Sequence, residues 1–169
     1  AAPSYALWDL SRIVRNDAAL NALFDAGIVG IVPVLKDKHP DFHQKLQVFS
    51  REFGYRGPSE WDLGADSWET RPELPLGLVD RMRQLGDDQS PVSRRGEASA
   101  AAEALVARIV DGLAGNDEAL GTLRMGLDSA RRFAGWRELG KSNCIKIINE
   151  ARVALLEMGR RLTSEGHFT

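Results

Sequence analysis

The chain has 169 residues, enough for a domain with a core of its own. Its 43% hydrophobic and 27% charged residues are an ordinary globular balance, and a formal net charge of -2 gives no electrostatic basis for binding nucleic acid or an acidic membrane surface. A single cysteine, Cys144, excludes an internal disulfide, and no apolar run is long enough to span a bilayer, so a reducing, cytoplasmic setting without membrane or nucleic-acid partners is expected.

The opening Ala1-Ala2-Pro3-Ser4 has neither the basic nor the apolar region of a signal peptide, and it lacks an initiator Met. A piece of a longer chain, or a processed product, is expected to begin this way. Ser4 is placed to cap a first helix with Leu7, Trp8, Leu10, Ile13 and Val14 at helical spacing. Asn16 or Asp17 caps a second, carrying Leu20, Leu23 and Phe24 and ending near Gly27. Ile28 to Leu35 is a β-branched run with Gly30 and Pro33 inside; no second strand is evident to pair with it, so it is read as a short bent helix. Asp41 opens a helix through Phe42, Leu46, Phe49 and Phe53.

That helix is expected to close at Gly54 in a left-handed conformation. Tyr55, Arg56, Glu60, Trp61 and Asp62 then crowd around a stiff Gly57-Pro58 turn. Spacing favours a structural corner over a binding site here, with Trp61 and Trp68 buried and Arg56 paired to Glu60 or Asp62. Gly64 to Leu74 forms one long ordered loop. Pro75 starts a short helix, and Gly86 to Gln89 is the expected exposed hinge. Ser90-Pro91 caps a long helix running to about Leu113; Gly115 ends it, and Asn116 caps the next. Phe133 and Trp136 close that helix near Gly135. A last helix begins around Arg137 or Ser142, runs to about Thr163 and buries Ile145, Ile148, Leu155, Leu156 and Leu162. The expected fold is all-α, a multi-helix bundle in one domain over residues 1–169 with no significant sheet.

Recognisable chemistry is sparse. His39 and His43 flank Pro40 at a helix start, no cysteine joins them, and no metal-ligand spacing occurs. Cys144 sits in an apolar helical pattern, as a small buried hydrophobe does. Neither a nucleophile elbow nor a glycine-rich phosphate loop is present. Arg137-Glu138-Leu139-Gly140-Lys141 would place two cations one turn apart on a helix, with a carboxylate beside them. At a helix start that arrangement opposes the helix pole and points to an anionic or polar ligand or an acidic partner segment; a solvated salt-bridge cluster is the plainer reading.

Two motifs in order, Tyr55-Arg56-Gly57-Pro58-Ser59-Glu60-Trp61-Asp62-Leu63 with Ser67-Trp68 and Arg71-Pro72, and Arg137-Glu138-x-x-Lys141-Ser142 ahead of a long helix, resemble the phosphoenolpyruvate-utilising enzymes. More narrowly, the chain resembles the helical middle region of rifampicin phosphotransferase-like and phosphoenolpyruvate synthase-like proteins from about Ser4 to Gly166. The resemblance implies one part of a larger ATP-dependent phosphotransferase. In that family an ATP-binding domain, using ATP and Mg, phosphorylates a histidine on a swivelling domain, and the phosphohistidine serves a small-molecule acceptor held by the helical region. It implies catalytic roles for Arg137, Glu138 and Lys141 near the reacting hydroxyl, and substrate contacts from Arg56, Glu60, Trp61 and Trp136, with no catalytic role for Arg56 or Glu60. It further implies that the two motifs approach one cleft. Trp8, Phe24, Phe133 and Trp136 are candidates to line an apolar acceptor pocket. The chain itself has no swivelling-domain histidine motif and no ATP-binding half, so it is expected to hold no cofactor and to be inactive alone. The contrasting expectation is a free-standing helical binding or scaffold domain without enzymatic activity.

Overall fold

In the computed structural model, which describes residues 2–168, the apolar periodicity becomes seven α-helices and one 3-10 turn, with no strand among the described residues. They form two compact units: one runs to Gly86 and resumes at Cys144, and the other is Asp87–Asn143.

The first unit contains α1 (Ala2–Asn16), α2 (Ala18–Asp25), α3 (Ile31–Lys38), α4 (Pro40–Phe53) and α5 (Glu73–Arg83). Asp17 caps α2 by accepting from the backbone N–H groups of Ala19 and Leu20. The β-branched run is indeed helical from Ile31, and it buries Ile31 and Leu35. One face of each helix feeds a shared core: Leu7, Leu10 and Val14 from α1, Leu20 and Phe24 from α2, Phe42, Leu46, Phe49 and Phe53 from α4, Leu76 and Val79 from α5. Phe24 meets Phe42 edge-on at 6.1 Å.

Two arginine clusters fasten this unit. Arg12 lies 4.0 Å over the Trp8 ring and donates to the carbonyls of Leu85 and Met82, and Arg15 joins it at Leu85, so α1 satisfies carbonyls at the end of α5. Arg83 is buried and donates to Asp25, Asp80 and the Asn21 side chain. Burial pulls its guanidinium down, but the hydrogen bonds to Asp25 and Asp80 together with their charges outweigh that, and its pKa is raised.

Three helix ends differ from the expectation: α1 is already helical at Ala2, so Ser4 lies inside its first turn instead of capping it. Gly54 keeps a right-handed conformation (φ -58°), and the chain leaves α4 because the Gly54 and Arg56 carbonyls accept from the N–H groups of Glu69 and Trp68. At Gly57 a Cβ would stand 2.7 Å from the Asp66 carbonyl oxygen, so the close approach of the two limbs of this loop requires glycine. Pro75 is not the first residue of α5; the helix begins at Glu73, and Pro75 sits in its first turn, where no backbone N–H is needed.

The second unit holds the 3-10 turn Asp87–Gln89, α6 (Pro91–Gly112) and the first part of α7 (Asp117–Ser164). Ser90 caps α6 through Ser93 N–H, Gly115 is left-handed (φ +85°), and Asn116 accepts from Ala119 N–H, all as the sequence predicts. The expected break near Gly135 is absent, and α7 is one helix of 48 residues. A single mid-helix glycine costs about 1 kcal/mol against alanine, too little to end a helix without a proline or capping residue behind it.

In the first unit, α7 buries Ile145, Asn149 and Arg152, spaced four and three apart on one face. Leu155 and Leu156, expected in the core, are exposed; so is Cys144, which turns away from that face. Nearer the C-terminus, Glu157 accepts hydrogen bonds from Arg160 and then Arg161, which together hold its carboxyl down at about 2, from an ordinary 4.5. A carboxyl depressed in the fold contributes stability above pH 4.5 and loses it as the pH falls through about 2. A carbon-13 titration of the Glu157 carboxyl should therefore show a midpoint near 2; a midpoint at 4.5 would mean the arginines do not hold it.

Candidate functional site

On α7 within the second unit, Phe133, Arg137 and Lys141 follow one another at four-residue spacing, so their side chains share one stripe of the helix. Trp136 lies beside it, its ring 6.4 Å from that of Phe133. Both rings face solvent, 72% exposed for Phe133 and 67% for Trp136. Arg137 donates from Nη2 to Glu138 Oε1 at 2.8 Å, with both side chains exposed. The stripe is thus an aromatic pair followed by a basic pair, with a carboxylate hydrogen-bonded to one of the cations. It sits in the middle of a helix, so the expected conflict with a helix pole does not arise: peptide dipoles act within the first and last turns.

The proline turn belongs to the first unit. Arg56 Nε and Glu60 Oε1 stand 2.5 Å apart and are largely covered, which is the pairing a structural corner requires. Trp68 is half-buried and stacks on Phe49 at 5.6 Å. Trp61, expected to be buried, is 61% exposed, and the backbone of this turn is fastened by a residue of α7. Arg152 holds it, donating to the carbonyl oxygens of Glu60 at 3.2 Å and Asp62 at 2.7 Å, and to Asn149 Oδ1 at 3.0 Å. Asn149 Nδ2 in turn donates to Glu69 Oε2 at 2.7 Å. Only 1% of Arg152 is exposed, and its Nε is buried without a partner.

Sequence reading missed this Arg152-Asn149-Glu69 relay. Its trace is a pair of polar residues, Asn149 and Arg152, at helix positions in phase with Ile145. The proline turn and the Arg137-Glu138-x-x-Lys141 stretch fall in different units, so the structure gives a local geometry for each. Of the proposed pocket aromatics, Trp8 is half-buried beneath Arg12 and Phe24 is part of the core. No cluster of three or more His, Cys, Asp or Glu side chains among the described residues could hold a metal ion.

These features define a helical module that presents an aromatic and basic stripe, with no nucleotide loop in its sequence. The family model of the rifampicin phosphotransferase fourth domain matches residues 1–138, and the chain belongs to that family. The match includes Arg56, Glu60, Trp61, Trp136, Arg137 and Glu138; Lys141 lies just beyond it. No curated protein and no solved structure matches the chain.

Proposed function

We propose that this chain is the acceptor-binding helical region of an ATP-dependent phosphotransferase working through a phosphohistidine. Membership of the rifampicin phosphotransferase fourth-domain family carries the reading, since the match reaches Arg137 and Glu138. The stripe supplies chemistry suited to it. Phe133 and Trp136 offer apolar surface to a small-molecule acceptor. Arg137 and Lys141 would neutralise the charge of an arriving phosphoryl group. Glu138 would orient the acceptor hydroxyl and take its proton.

ATP and Mg belong to other domains in this reading. The sequence has no glycine-rich phosphate loop, and the described residues offer no acidic cluster for a metal ion, so no step is assigned to either through this chain. Phosphoryl supply falls to an ATP-binding domain and a swivelling histidine domain of the parent polypeptide.

The test uses labelled ATP or phosphoenolpyruvate. The isolated 169-residue chain should neither hydrolyse ATP nor acquire phosphate on His39, His43 or His167. A parent enzyme with this segment deleted should still label its swivelling histidine and should transfer nothing to the acceptor. A stable phosphohistidine on the isolated chain, or acceptor turnover by the deleted enzyme, would contradict the proposal.

A further inference from the structure

Two hollows in the first unit share Ser50 of α4 in their lining. The smaller, about 100 Å³, is walled by Val32, Leu46, Phe49, Trp68, Pro72 and Pro75, with His43 and Gln47 at its rim. The larger, about 560 Å³, is lined by Ser50, Arg51, Glu52, Tyr55, Glu69, Lys146, Asn149 and Glu150. One is apolar and fits a single ring or branched alkyl group; the other is charged.

The charged hollow carries three carboxylates against two cations, and it opens beside the C-terminal turn of α4, the negative pole of that helix. Arg51, Glu52, Lys146 and Glu150 make no salt bridge among the described residues, so these charges are not consumed by one another. Lys146 instead stands 5.2 Å from the Tyr55 ring. Glu69 is held in place: Asn149, 2% exposed and itself gripped by Arg152, donates to one of its oxygens. A fixed carboxylate in a net-negative hollow, one residue along the chain from the Trp68 wall of an apolar hole, is complementary to a cation bearing an apolar group.

We propose that this double hollow is a binding site for a small amphipathic amine, with the apolar group between Trp68, Pro72 and Pro75 and the ammonium at Glu69. None of its residues belongs to the Arg137-Glu138-x-x-Lys141 stretch, so the proposal stands apart from the phosphotransferase reading. The experiment titrates the full 169-residue chain with phenethylamine, followed by NMR of the Trp68 indole, assigned through Trp68→Phe. Saturable shifts at Trp68 are expected, and the neutral isostere 2-phenylethanol should bind about tenfold more weakly. Glu69→Gln, which keeps a hydrogen-bond acceptor for Asn149, should remove that preference for the amine. Glu150→Gln, which touches no part of the relay, should weaken amine binding without altering the fold. Absence of saturable Trp68 shifts up to about 10 mM amine, or equal affinity for amine and alcohol, would overturn the proposal.

Discussion

In the intact parent enzyme, Glu138→Gln and Lys141→Met should each slow transfer to the acceptor by about a hundredfold or more, with phosphorylation of the swivelling histidine unchanged. Glutamine keeps the shape of Glu138 and can still accept the 2.8 Å hydrogen bond from Arg137, but it cannot take a proton from a hydroxyl. Methionine approximates the length of Lys141 and removes its charge. Glu138 is exposed and Lys141 half-buried, so water reaches both and weakens electrostatic effects. Their full effect therefore depends on docking of the phosphohistidine domain, which would exclude that water. Single-turnover measurements starting from the phosphorylated enzyme separate the two half-reactions. Undiminished acceptor turnover in both variants would remove the case for this stretch as the transfer site.

The second large effect is on stability. Arg152→Ala should destabilise the first unit by about 3 kcal/mol, lowering the thermal midpoint by about 6–12 °C. The substitution strips donors from the Glu60 and Asp62 carbonyls and from Asn149, and it leaves a hole where a fully covered side chain stood. Arg152→Met should recover part of the loss, since it fills space without a buried charge whose compensation reaches Glu69 only through Asn149. Arg161→Ala on the exposed face of the same helix should stay within about 0.5 kcal/mol of the parent. Thermal unfolding followed by circular dichroism checks all three, and an unchanged midpoint for Arg152→Ala would show that the relay holds nothing.

Local rules read much of this chain correctly where a decision was local. Asp17, Ser90 and Asn116 cap the helices they precede because a short side-chain acceptor there meets otherwise orphaned N–H groups. The Arg56–Glu60 pair was legible as a four-residue spacing across a stiff turn. Gly135 lies inside α7 without breaking it, since glycine weakens a helix without ending it. Gly54 has the residue type of a left-handed terminator, whereas hydrogen bonds from a later loop segment draw the chain out of α4. Arg152 was invisible for the same reason: the carbonyl it grips at Asp62 lies 90 positions away in the chain. Leu155 and Leu156 carry an apolar pattern that the sequence alone assigns to a core, and the fold leaves them at the surface. The Arg137-Glu138-x-x-Lys141 stretch is legible by spacing only as a charge cluster; resemblance to a family, not spacing, ties it to phosphoryl transfer.

Because α7 is unbroken from Ile145 to Arg152, the three buried residues Ile145, Asn149 and Arg152 are geared to one another by helical phase. Each residue added between Ile145 and Arg152 would turn Arg152 by about 100° about the helix axis and displace it by about 1.5 Å. One insertion would thus swing its guanidinium off the buried face, and two would point it nearly backwards. Seven would return it to within about 20° of its bearing but carry it about 10 Å along the axis, away from the Glu60 and Asp62 carbonyls. The spacing from Ile145 to Arg152 is therefore a fixed dimension of the first unit, less tolerant of a change in length than of a change in side chain.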